Sequence, residues 1–250
     1  MTEKPKLQAE WEAFAAEWIA RCEQQRDEAR EGLLDDWMLE LVGDVAGLRV
    51  IDLGCGEGRF CRMLGARGAE VLGVDLQPAF IDYAEAHKGE REKYLLGDME
   101  ELNGVPDDAF DLAVSYISLV DVPDMHAAIG QAARVLKPGG RLFACNLSPM
   151  ATATRTSNWW LRDDMGRKLH YKLDNYTEEG ERTVLFGPQH RLTNYHRMFS
   201  TTINAFIDAG LVVKRIHEPT PNAEQLKRRP GIDDLFRVPL FIIYQLQKPA

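Results

Sequence analysis

The stretch Val50-Ile-Asp-Leu-Gly-Cys-Gly-Glu-Gly58 decides the fold. An apolar run passes into a glycine-rich turn, and Arg59 to Arg67 then reads as a helix. Glycines at 54, 56 and 58 let the main chain turn sharply and approach a ligand closely. The spacing is GxGxG, with Asp52 two residues before the first glycine. A pyrophosphate binder needs positive charge at that helix start, and a nearby carboxylate opposes it. A cationic ligand is favoured instead.

Working outward, the pattern repeats. Arg49–Leu53, Glu70–Val74, Lys93–Leu96, Phe110–Ser115, Arg141–Asn146, Leu211–Ile216 and Pro239–Gln247 read as seven strands. Pro78–His87 and Asp124–Leu136 read as helices between them, the second stopped by Lys137-Pro-Gly-Gly140. Such alternation predicts a parallel sheet covered on both faces. Asp75 ends the second strand 21 residues past Gly54, where a carboxylate can accept both hydroxyls of a ribose. Asp98 follows the third strand and can accept from an exocyclic amine. Three carboxylates thus stand at three successive strand ends, the edge at which open α/β sheets bind ligands.

Two regions depart from this rhythm. Residues 7–42 predict helix, with Trp11, Phe14, Ala15, Trp18, Ile19 and Cys22 on one stripe and Gly32 as a break. Within 150–199, Lys168–Tyr176 and Glu181–Phe186 predict a hairpin around Thr177-Glu-Glu-Gly180. Ser200 then caps a helix that Gly210 stops.

Composition narrows the function classes. The 250 residues hold 30 Lys and Arg against 39 Asp and Glu, a net charge of −9, so a phosphate-binding groove is disfavoured. The one compact basic run, Lys227-Arg228-Arg229, reads as a solvated loop beside Asp233 and Asp234. Cys22, Cys55, Cys61 and Cys145 form no CxxC pair and no zinc spacing, so no metal is expected and the thiols read as reduced, in the cytoplasm. The N-terminus lacks the apolar run of a signal peptide, and no stretch has the length of a membrane span.

On Val50–Gly58, Val74-Asp75, Gly97-Asp98, Phe110-Asp111 to Ser115 and Leu136–Gly140, the chain resembles the class I, Rossmann-like S-adenosylmethionine-dependent methyltransferases over residues 45–146. The resemblance implies an α/β fold: a seven-stranded, mostly parallel sheet with helices on both faces and the last strand antiparallel. It divides the chain into a helical lid at 1–44, a cofactor-binding core at 45–149, an antiparallel cap at 150–199 and the end of the core sheet at 200–250. It implies S-adenosyl-L-methionine as cofactor, leaving S-adenosyl-L-homocysteine as product. Asp52, Gly54, Cys55, Gly56 and Gly58 would surround its methionine and ribose, Asp75 the ribose hydroxyls, and Asp98 with Leu76 and Met99 the adenine, with Ser115 also in contact.

The activity implied is in-line methyl transfer to an oxygen or nitrogen of a small-molecule acceptor, with neither nucleic acid nor membrane as partner. Proximity and orientation carry most of such catalysis. A hydroxyl acceptor also needs a base, which a neutral histidine suits. The candidates are His126, His170, His190 and His196, with His196 preferred at the cap-to-helix junction and His190 next. Trp159, Trp160, Tyr171 and Tyr176 offer aromatic surface to the acceptor. The alternatives are a non-catalytic protein that binds the same cofactor, a thiol or macromolecular methyltransferase, and a nicotinamide-dependent oxidoreductase, which the spacing and Asp52 oppose.

Overall fold

The computed structural model describes residues 3–24, 29–155, 159–186 and 189–250. The strands are β1 (Arg49–Leu53), β2 (Glu70–Asp75), β3 (Glu92–Leu96), β4 (Phe110–Tyr116), β5 (Leu136–Leu147), β6 (Trp160–Arg162), β7 (Lys168–Tyr171), β8 (Gly180–Phe186), β9 (His190–His196), β10 (Val212–His217) and β11 (Phe241–Gln247). The helices are α1 (Glu3–Glu23), α2 (Asp35–Val42), α3 (Arg59–Gly65), α4 (Pro78–Ala86), α5 (Met125–Val135), α6 (Pro149–Ala153), α7 (Phe199–Asp208) and α8 (Ala223–Arg228).

Seven strands form one sheet in the order β10-β11-β5-β4-β1-β2-β3. β1 pairs in parallel with both β2 and β4, so the chain reverses its direction of winding beside the glycine-rich turn. Only the pairings made by β11, with β5 and β10, are antiparallel. Side-chain alternation divides the core. Ile51, Ala113, Leu142 and Ile242 face α5 and α7, whereas Val50, Leu112, Phe143 and Ile243 face α2 and α3. Both faces are covered, which is why the strands read as near-continuous apolar runs.

The structure corrects several local expectations. The hairpin between Lys168–Tyr176 and Glu181–Phe186 does not form: β7 ends at Tyr171 and pairs with β6, while β8 pairs with β9. The Arg182 guanidinium gathers the carbonyls of Ala153, Glu178, Gly180 and Glu181, and Asn175 adopts φ 58°, so the connecting segment wraps around Arg182. Lys137–Gly140 bulges within β5, because Phe110 pairs with Leu136 and Leu112 already with Arg141. Gly139 N donates to the Lys248 carbonyl there at 3.0 Å.

Gly32 does not break the helix. It lies buried in a π-helical turn, Arg30–Leu34, where a Cβ would stand 2.9 Å from Arg229 Cγ. Ser200 caps nothing: α7 starts after Met198, and its first amides are held by Glu179 Oε1 at 2.6 Å and Tyr176 Oη at 3.0 Å. Lys227 and Arg228 end α8, with Arg228 on Asp36 at 3.1 Å and Arg229 on Glu31 at 3.3 Å. The parts of the expected 7–42 helix at 25–28, and of the 150–199 insertion at 156–158 and 187–188, lie outside the described residues.

The long helix α1 crosses the carboxyl edge of the sheet. Glu10 accepts from the Thr193 amide of β9 at 2.8 Å, and the Gln8 carbonyl accepts from Gln77 Nε2 at 2.7 Å. Phe14 is fully buried and packs 5.3 Å from Phe186.

Candidate functional site

The carboxyl ends of β1, β2 and β3 and the loop after β4 enclose an inner cavity of about 160 Å³. Its floor is Gly54, Cys55, Gly56 and Glu57, and Asp52, Asp75, Leu76, Asp98 and Met99 stand around it. Lys4, Leu7, Gln8, Trp11 and Trp18 of α1 close the outer side. Gly54 has φ +73°, and its amide donates to the Val74 carbonyl at 2.8 Å. A Cβ there would lie 2.4 Å from Ser118 Cβ, whereas at Gly56 it would point into open space.

The sequence-predicted carboxylates converge here. Asp52 is 1% exposed and takes the Cys61 thiol at 3.2 Å on Oδ2, while Oδ1 has no partner. Asp75 accepts the Gly56 amide at 2.8 Å and the Gln77 amide at 2.9 Å. Asp98 accepts the Glu100 amide at 2.8 Å and the Lys4 ammonium at 2.6 Å.

Gly58 and Ser115 fall outside the cavity wall. Gly58, at φ +80°, lets Tyr94 and Ala84 pack against the start of α3, where a Cβ would lie 2.5 Å from Tyr94 Oη. Ser115 sits behind Ser118 at 2.7 Å between hydroxyls, and it is Ser118 that lines the cavity.

Burial and repulsion from neighbouring carboxylates weaken Asp52, Asp75 and Asp121 as acids. Burial pushes the Asp52 carboxyl up to about 7, with Asp75 and Glu57 adding repulsion. Asp75 rises to about 6 through burial, against the pull of the Gln77 and Gly56 amides. Asp121 rises to about 8 through burial and repulsion from Asp75, opposed by its hydrogen bond from the Asn194 amide. Glu57, 3% exposed, also has an Oε1 without a partner. Buried carboxylate oxygens without donors suit a ligand carrying ammonium or sulfonium charge. The residues present therefore fit the cofactor expected from the sequence.

A middle cavity of about 390 Å³ adjoins the first. The two share Trp11, Trp18, Arg30, Tyr116, Ile117 and Asp121. Ile117 adopts φ 59°, a strained conformation for a β-branched residue, at this shared wall. The Tyr116 hydroxyl donates to Asp35 at 2.9 Å, and Asp35 also holds Arg59. Trp159 lines the middle cavity, whereas Trp160 and Tyr171 line a third, outer one. Tyr176 lies apart, packed against His196 at 5.7 Å.

Among the described residues no histidine lines any of these cavities. His196 is fully buried, with Nδ1 on Thr152 Oγ1 at 2.8 Å and Nε2 on the Tyr176 carbonyl at 2.8 Å. His190 pairs with Glu17 at 2.9 Å and lies against Phe14. His126 and His170 are exposed. Sequence reasoning singled out none of Glu57, Asp121, Ser118 or Lys4 as a site residue. Glu57 and Asp121 were legible in part, as acids within the glycine-rich turn and the loop after β4. Lys4 carried no signal, because its contact spans 94 positions.

No group of three His, Cys, Asp or Glu side chains among the described residues is placed to hold a metal ion. No helix among them is long and apolar enough to cross a membrane.

Comparison with known proteins agrees with this geometry. Residues 51–144 match the family model described as a methyltransferase domain. A crystal structure of an S-adenosylmethionine-dependent methyltransferase from Mesorhizobium loti is 31% identical, with a TM-score of 0.75 over 85% of this chain and 95% of that one. An uncharacterised protein of Haemophilus influenzae is 27% identical over 84% of this chain and 85% of its own length. A ubiquinone biosynthesis O-methyltransferase of Alkalilimnicola ehrlichii is 34% identical over 45% of this chain, which spans 47% of that enzyme's length.

Proposed function

The chain belongs to the class I S-adenosylmethionine-dependent methyltransferases, and from that premise we propose that it methylates a hydroxyl oxygen of a small-molecule acceptor seated in the middle cavity. The observation that carries this reading is the shared wall: Asp121 stands where the cofactor cavity meets the second cavity. The likeness to O-methyltransferases of ubiquinone biosynthesis over part of the chain supports oxygen as the target.

When bound, S-adenosylmethionine would supply an electrophilic methyl group on a sulfonium sulfur, with a neutral thioether as the leaving group. The chain's own groups do the rest. Asp52 and Glu57 offer partnerless carboxylate oxygens to the cationic end. Asp75 would offer its remaining lone pairs to the ribose hydroxyls, and Asp98, Leu76 and Met99 would border the adenine. Helix α1 is the lid, with Trp11 and Trp18 excluding water from both cavities, and the β6–β9 region is the cap. Asp121 accepts the hydroxyl proton and returns it to solvent after the methyl has moved. Asn194 steadies its carboxylate. A carboxyl near 8 is a competent base around neutrality, and a neighbouring sulfonium lowers it further.

Asp121→Asn tests this with a panel of phenols and catechols. S-adenosylhomocysteine affinity should stay within about twofold, while turnover falls by roughly 10²–10⁴. In the unaltered protein kcat/KM should rise with pH toward 8. Full turnover in Asp121→Asn, or a flat pH profile, would exclude Asp121 as the base.

A further inference from the structure

The middle cavity does not end at the acceptor's reacting group. Away from Asp121 it opens into the outer cavity of about 740 Å³, and the two share Arg21, Trp159 and Leu240. At that end stand two buried polar atoms with no hydrogen-bond partner, Arg21 Nε and Tyr171 Oη. A buried polar group without a partner is uncommon and points to something that completes it. Both residues line the outer cavity. Arg21 Nε can only donate. Burial and the nearby Asp234 push the Tyr171 phenol up to about 12, so it keeps its proton and can donate as well.

The charge lining the middle cavity is unlike the rest of the molecule. The protein carries −9 overall, yet away from the wall that holds Arg30 and Asp121 the charged side chains lining the middle cavity are Arg21 and Arg182. Arg182 donates to main-chain carbonyls, which leave its charge in place. In the outer cavity Asp234 is already held by Lys168 at 2.6 Å. Aromatic walls run along the cavity, with Trp11 and Trp18 on the side of the cofactor cavity, Trp159 on the outer side, and Phe186. The edge of Trp160 meets Tyr171 at 5.3 Å and 88°, which fixes the direction of the phenol ring.

We propose that the outer end of the acceptor cavity is a carboxylate-anchoring site: Arg21 Nε and Tyr171 Oη hold the carboxylate of a flat, apolar hydroxy acid whose hydroxyl reaches Asp121. The proposal rests on the acceptor reading above and names the acceptor's class. One guanidinium N–H and one phenol O–H supply a donor for each oxygen of a carboxylate, and charge-assisted bonds of this kind are strong. The aromatic walls take the ring, and the two polar ends fix its direction. The hydroxyl end is thereby presented to the cofactor cavity.

Calorimetric titration in saturating S-adenosylhomocysteine tests the anchor with 2-naphthoate and its neutral isostere naphthalene-2-carboxamide. The carboxylate should bind at least about tenfold tighter than the amide. Arg21→Gln should bring the two within about twofold, and Tyr171→Phe should remove part of the difference, with thermal unfolding confirming that both variants fold. Equal binding of acid and amide, discrimination retained in both variants, or binding of neither probe would overturn the proposal. Methyl transfer to 6-hydroxy-2-naphthoate separates this from the underlying reading. Discrimination without transfer upholds the anchor and sinks the hydroxyl assignment. Transfer without discrimination sinks the anchor and leaves the assignment standing.

Discussion

Replacing Asp52 by Asn tests the electrostatics of the inner cavity through stability. The Asp52 carboxyl is 1% exposed and is raised from 3.8 to about 7, chiefly by burial. A raised acid holds its proton more tightly in the folded than in the unfolded chain. The stability it contributes is complete below the unfolded value and lost as pH climbs through the folded one. About three units at 1.36 kcal/mol each amount to about 4 kcal/mol lost by pH 8. Asp75 and Glu57 share that repulsion, so about 2–4 kcal/mol is expected for Asp52 itself. Asn cannot ionise and can still accept from the Cys61 thiol. Asp52→Asn should therefore unfold with the wild type near pH 4 and be about 2–4 kcal/mol more stable at pH 8, with the gap opening between pH 4 and 7. Urea unfolding of both proteins without cofactor, at unit pH steps, reads the gap directly. The same variant should bind S-adenosylhomocysteine about tenfold more weakly at pH 8, because a carboxylate is lost from the cationic end. A stability gap independent of pH, or one that closes as pH rises, would refute the reasoning.

The lid and the histidines give two further tests. Lys4 donates to Asp98 and Glu100 at 2.6 Å each from a partly exposed position. Lys4→Met should remove at most about 1 kcal/mol of closure, tighten S-adenosylhomocysteine binding a few-fold and speed protease cleavage within α1 when no ligand is present. Weaker binding would show that Lys4 helps rather than competes. His196→Ala breaks two buried hydrogen bonds and should cost about 1–3 kcal/mol of stability, with turnover per folded molecule unchanged. A hundredfold loss of turnover in correctly folded protein would restore His196 as the base.

How much of this was legible in the sequence follows from the range of the interactions. The sheet was: β1, β2, β4 and β11 are buried on both faces, so their apolar runs identify them. The carboxylates at 52, 75 and 98 were legible because strand ends and glycine spacing fix their place at one sheet edge. The region from 150 to 199 was not. β6 has only three residues, and β8, although read as a strand at Glu181–Phe186, pairs with β9, which was not read as one. The segment between β7 and β8 wraps around Arg182, whose bond to the Ala153 carbonyl spans 29 positions and leaves no local pattern. The same holds for the proposed base. A histidine is the default reading for a proton acceptor near neutrality, whereas Asp121 qualifies only because the fold buries it beside Asp75. His196 read as catalytic from its place before a helix, yet tertiary contacts occupy both its nitrogens.

The most direct test of the account is a calorimetric titration of S-adenosylhomocysteine into the wild type, Asp75→Ala and Asp121→Asn. If the glycine-rich turn and the strand-end acids form the cofactor site, the wild type and Asp121→Asn bind alike in the micromolar range. Asp75→Ala should then bind roughly tenfold to a hundredfold more weakly, the loss of charge-assisted hydrogen bonds worth about 1.5–3 kcal/mol. Unchanged affinity in Asp75→Ala would contradict the assignment of that cavity to the cofactor.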